Sequence, residues 1–144
     1  MQERKRWAFV LDKDEFVRLS LNKILKKYGF SVEEIEDFSE LEKRKRDMEE
    51  GIILADVEID ALERWFPLLR RWNDRLILMT PLITDEFTIR LKKIGLRRII
   101  KKPVEPKLLQ GIIRKISFPN ELKTPSRGKK REVSRLNQKG GEGL

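Results

Sequence analysis

Five short apolar runs, each cut off by polar residues and separated from the next by a segment of helical period, most constrain what this chain can fold into. Trp7 to Leu11 ends in Asp12, Gly51 to Ala55 ends in Asp56, and Arg75 to Met79 ends at Thr80. Runs of this length are too short for helices and suit strands buried on both faces. Ser31 to Ile35 is a weaker strand of the same kind, and Arg98 to Ile100, leading into Lys101 and Lys102, is the fifth.

The intervening segments carry apolar residues at helical spacing. Val17, Leu21, Ile24, Leu25 and Tyr28 fall on one stripe, and Gly29 supplies a stop. Phe38 to Met48, with Leu41 and many charges, is expected to form the second helix. Leu62, Trp65, Phe66, Leu69 and Trp72 make the third, their spacing favouring core packing over a binding surface. Phe87, Leu91 and Ile94 before Gly95 make the fourth, and Leu108, Leu109, Ile112, Ile113 and Ile116 the fifth. Such alternation predicts an α/β fold, a doubly wound five-stranded parallel sheet with right-handed crossovers and helices on both faces. Sites in these folds collect at the carboxyl ends of the strands. Asp12, Asp56, Thr80 and Lys102, all at predicted strand ends, are therefore expected to converge in one crevice.

At 144 residues the chain has room for one core. It contains no Cys and no His. Disulfides, thiolate metal sites, the commonest metal ligand and the usual general base are thereby excluded, and with them most hydrolytic chemistry. No glycine-rich phosphate loop is present, so no turnover enzyme is expected. The charged N-terminus and the lack of a long apolar stretch predict a cytoplasmic protein without a membrane partner. After Ile116 the composition turns to Lys, Arg, Gly and Ser. Residues 119–144 hold seven basic and three acidic residues, a net of +4, which leaves +5 of the total +9 for what precedes. The expected division is a domain over 1–118 and a flexible basic tail, or a truncated linker, over 119–144.

From about Trp7 to Ile116 the residues resemble the receiver domain of bacterial response regulators, the CheY-like superfamily. The resemblance rests on Asp12, followed by Arg18 and Gly29; on Asp56 after Gly51-Ile52-Ile53-Leu54-Ala55; on Thr80 after the fourth strand; and on Gly95 seven residues before Lys102-Pro103. It implies a flavodoxin-like strand order of 2-1-3-4-5. Asp56 is then the phosphoacceptor, Asp12 and Asp14 belong to the acidic pocket, Thr80 is the switch hydroxyl, and Lys102 pairs with the phosphoryl group. The family's Mg²⁺ would take Asp12, Asp56 and the backbone carbonyl of Glu58 as ligands. The implied partners are a histidine kinase or phosphotransfer protein, an output domain or partner protein meeting the face from the fourth to the fifth helix, and a second copy of the chain.

Three positions depart from the family pattern. Lys13 stands where the second acidic residue belongs, and an ammonium there repels a divalent cation. It has the alternative role of replacing the metal by pairing with Asp56. The residues after Asp56 pass directly into the third helix, which shortens the loop over the site. Ile99, three residues before Lys102, replaces the switch aromatic, so coupling of the usual kind from Thr80 is not expected. These departures support an alternative reading, a pseudo-receiver that binds partners independently of phosphorylation. A further alternative is nucleic-acid binding through Arg90, Lys92, Lys93, Arg97, Arg98, Lys101, Lys102 and Lys107 and the tail from Arg127 to Arg131. The tail offers no aromatic residue for base stacking.

Overall fold

The computed structural model describes residues 5–116. The expected boundary at 118 and the basic tail 119–144 lie outside the described residues. Five strands are present, β1 (Arg6–Leu11), β2 (Phe30–Glu34), β3 (Ile52–Ala55), β4 (Leu76–Thr80) and β5 (Ile99–Lys101). They pair in parallel in the order β2-β1-β3-β4-β5. Four α-helices alternate with them: α1 (Glu15–Lys27), α2 (Ile59–Leu69), α3 (Asp85–Lys93) and α4 (Pro106–Lys115).

Successive side chains of a strand point to opposite faces, and both faces here are apolar. Phe9, Ile53 and Leu78 pack with Leu62 and Leu69 of α2 and Leu91 of α3. Ala8, Val10, Ile52, Leu54, Ile77 and Met79 pack with Leu21 and Leu25 of α1 and Leu109 and Ile113 of α4. The sheet is thus covered on both sides, and each fully buried Leu or Ile contributes roughly 2 kcal/mol relative to an exposed one. Gly29 takes a φ of +93° after α1, and Gly95 a φ of +84° after α3. Both are left-handed stops that glycine adopts without a Cβ penalty.

The segment expected as a second helix instead forms two 3₁₀ turns, Phe38–Lys43 and Asp47–Glu49. Phe38 and Leu41 are buried three residues apart, a spacing that aligns on a 3₁₀ turn, and the capping box of Asp37 and Glu40 closes its start. Arg44 ends that turn by extending across the sheet edge. Its guanidinium bonds Asp47 at 2.7 Å and Glu33 at 2.5 Å, and lies 4.6 Å from the Trp7 ring centre and 5.0 Å from that of Phe9. Hydrogen bonding to Glu33, against the opposing effect of burial, holds its pKa above the usual arginine value.

The third apolar stripe likewise outruns its helix. α2 ends at Leu69, and Arg70–Arg75 follows as a 3₁₀ segment with non-helical angles at Trp72. The kink turns the Trp72 ring into the core, where it is 6% exposed.

Candidate functional site

The carboxyl ends of β1, β3 and β5 bring Asp12, Asp56 and Lys102 together. Leu11 and Ala55 are register partners, and the Asp56 amide donates to the Leu11 carbonyl at 2.9 Å, so the two aspartates leave adjacent strands side by side. β5 lies beyond β4. There the Lys102 amide donates to the Thr80 carbonyl at 2.8 Å, which aims the lysine side chain back across the sheet end. The Lys102–Pro103 bond is cis.

The Lys102 ammonium donates to Asp12 Oδ2 at 2.8 Å and to Asp56 Oδ2 at 2.5 Å. Burial works against its charge. The two hydrogen bonds and carboxylate charges outweigh that penalty and hold its pKa above the usual lysine value. Asp12 has both oxygens engaged, because its Oδ1 accepts the Asp14 amide at 2.8 Å and its side chain is only 3% exposed. Asp56 differs. Its side chain is 29% exposed, and among the described residues no protein group donates to its Oδ1.

Arg18 holds this arrangement from the side, donating to the Asp12 carbonyl at 2.8 Å and pairing with Glu34 at the end of β2 at 3.2 Å. Its place in the first helix was legible in the sequence, but its grip on the exit of β1 needed the packed structure. Asp14 does not join the two aspartates. Its Oδ1 caps α1, accepting from the amides of Phe16 at 2.8 Å and Val17 at 3.4 Å. Thr80 contributes its carbonyl to Lys102, while its hydroxyl closes a local turn, donating to the Leu82 carbonyl at 3.0 Å and accepting from the Leu82 amide at 3.3 Å.

Asp12 and Asp56 form one end of an open crevice of about 870 Å³. Lys13, Glu58, Arg64 and Trp65 line it as well. Trp65 therefore combines the expected core packing with a wall of the crevice, a role its helical spacing did not reveal. With α2 starting at Ile59, only Val57 and Glu58 separate Asp56 from the helix, so the loop over the site is short.

The expected basic face is partly neutralised. Arg90 bridges to Asp60 at 2.8 Å and Glu63 at 2.6 Å on α2, and Arg97 pairs with Asp74 at 2.8 Å. Hydrogen bonds that Arg90 donates to Glu63 and then to Asp60 hold it well above the usual arginine range. No helix among the described residues is long and apolar enough to cross a membrane.

The same sheet order and helix placement recur in solved structures. A chemotaxis protein from Vibrio cholerae, CheY4, superposes with a TM-score of 0.65 at 17% identity, over 79% of this chain and 100% of that one. The chain has the fold of CheY-like receiver domains. A response regulator from Thermotoga maritima shares this receiver fold at a TM-score of 0.64 and 20% identity, over 78% of this chain and 98% of its own. Full-length FixJ from B. japonicum matches at 0.59 and 21% identity, over 77% of this chain and 57% of FixJ. No family model matches the sequence, and no curated protein matches it. The receiver fold is thus evident in three dimensions at a sequence distance where motifs alone are thin.

The donor set also tests the family's divalent cation against this chain. A hard cation is held by several oxygen ligands. Here Asp14 is committed to a helix cap, Lys13 replaces the second acid, and the Lys102 ammonium lies between the two remaining carboxylates. Among the described residues no group of three or more His, Cys, Asp or Glu side chains is arranged to hold a metal ion. An ammonium between the two carboxylates and a second one lining the same crevice disfavour a divalent cation here.

Proposed function

We propose that this chain is a cytoplasmic receiver-type module of a two-component or phosphorelay pathway, in which Asp56 accepts a phosphoryl group and partner proteins read the modified state. The observation that carries the reading is the unequal engagement of Asp56, with Oδ2 held by Lys102 and Oδ1 accepting from no described residue in a partly exposed side chain that lines the crevice. Oδ1 attacks phosphorus, and the bond from phosphorus to the histidine nitrogen or acyl oxygen of the donor breaks with its electron pair staying on the donor. Lys102 offsets charge gathering on the phosphoryl oxygens. The recurrence of the receiver fold in response regulators supports the same reading. Its partners are a phosphohistidine donor and an output protein. The exposed Ile89 of α3 and Leu108 of α4 offer that output apolar contact.

Labelling with phosphoramidate, followed by hydroxylamine and peptide mapping, tests the proposal. A hydroxamate at Asp56 supports it, and an unmodified Asp56 refutes it. The second reading, a pseudo-receiver independent of phosphorylation, draws on Lys13 in the acidic position and on the Thr80 hydroxyl closed onto Leu82. It gains if Asp56 stays unmodified while partner binding persists.

A further inference from the structure

We infer that the Lys13 ammonium takes the place of a divalent cation in this pocket, so that Asp56 works beside two lysines and without a metal. The inference rests on the phosphoacceptor reading for the anion that Lys13 meets, whereas the exclusion of the metal stands on the pocket alone.

Asp12 shares the Lys102 ammonium with Asp56, and protein donors already engage both of its oxygens. A cation seated there has to displace the Lys102 ammonium from Asp12, from Asp56 or from both. It also has to sit beside Lys13, which follows Asp12 directly and lines the same crevice. A like charge lining the same crevice disfavours such a cation. Asp14 is not available as a replacement ligand without uncapping α1, because its Oδ1 serves the amides of Phe16 and Val17.

Lys13 meanwhile is exposed and makes no hydrogen bond or ion pair to any described residue. The Lys102 ammonium already sits between Asp12 and Asp56 before any phosphoryl group arrives, and Lys13 lines the same crevice. Phosphorylation exchanges the single charge of Asp56 for nearly two. The flexible four-carbon stem of Lys13 lets its ammonium move onto the phosphoryl oxygens and supply the charge that the metal supplies elsewhere. The position that breaks the family's acidic motif thus becomes a working part of the site.

The test is a Mn²⁺ titration of the full chain, read by the electron paramagnetic resonance of free Mn²⁺, on the parent, Lys13→Asp and Asp56→Asn. We expect no saturable binding to the parent at about 1 mM Mn²⁺, and one bound equivalent in Lys13→Asp with affinity raised at least about tenfold, since ligand charge sets affinity at such sites. One equivalent bound by the parent and lost in Asp56→Asn overturns the inference. A Lys13→Asp protein that gains no binding overturns the assignment to Lys13. Neither result depends on whether Asp56 accepts phosphate, which the labelling of Asp56 decides separately.

Discussion

The Lys102 ammonium reaches across the sheet end to Asp56, 46 positions earlier in the chain, at 2.5 Å, and holds Asp12 at 2.8 Å in the same grip. Removing it leaves two adjacent carboxylates unneutralised. Lys102→Met is expected to lower unfolding stability at neutral pH by about 2 kcal/mol, less than for a fully buried pair because Asp56 is partly exposed. Urea denaturation of parent and variant measures it, and an unchanged midpoint contradicts it.

The same lysine gives stability a pH dependence of defined sign. Its folded pKa lies above the ordinary 10.5, so the folded state holds the proton more tightly than the unfolded chain. Its contribution is fully present below pH 10.5 and is lost as pH rises through the folded value. The stability difference between parent and Lys102→Met should therefore shrink above pH 10.5. Paired denaturation curves from pH 9 upward, a range set about that ordinary value, test this, and a widening difference contradicts it.

Gly51 leads into β3 at a point where no side chain fits. A Cβ there would lie 2.9 Å from both the Asp47 and the Trp7 carbonyl oxygens, which are backbone atoms with little room to yield. Gly51→Ala is expected to cost roughly 1–3 kcal/mol. Thermal unfolding should show a lowered Tm, whereas an unchanged Tm means the backbone at Trp7 and Asp47 shifts freely.

Asp14 is assigned to the helix rather than to the acidic pocket. Asp14→Ala should cost about 1 kcal/mol through the lost cap of α1. Asp14→Ser, which keeps a capping oxygen, should recover most of that loss in the same assay. A failure of Ser to recover it points to a role for the carboxylate beyond capping.

Arg90 joins α3 to α2 close behind the site. Arg90→Ala should speed amide hydrogen exchange in α3 at low salt, and added salt should bring the parent toward the variant. Equal exchange in both proteins at low salt removes the clasp from the account.

The strands were the most legible part of the molecule, because Phe9 and Val10, or Ile53 and Leu54, feed opposite faces and leave no polar side to confuse the pattern. Asp12, Asp56 and Lys102 followed from the rule that strand ends converge. The 3₁₀ turns after β2 did not, since Arg44 stops the turn through contacts with Trp7, Phe9 and Glu33 that exist only once the sheet has formed. Nor did the closure of Thr80 onto Leu82, which depends on the path of the chain after β4. Trp65 read as core from its spacing, and only the short passage from Asp56 to α2 brings it to the crevice wall.

The most direct test of the phosphoacceptor reading is intact mass after incubation with acetyl phosphate, run in parallel with EDTA and with Mg²⁺, on the parent and Asp56→Asn. The account predicts a single phosphoryl adduct on the parent in both conditions and none on the variant. An adduct that requires Mg²⁺ keeps Asp56 as the acceptor but returns the metal to the pocket. A parent protein that stays unmodified in both conditions, or an Asp56→Asn protein modified as readily as the parent, contradicts the central claim.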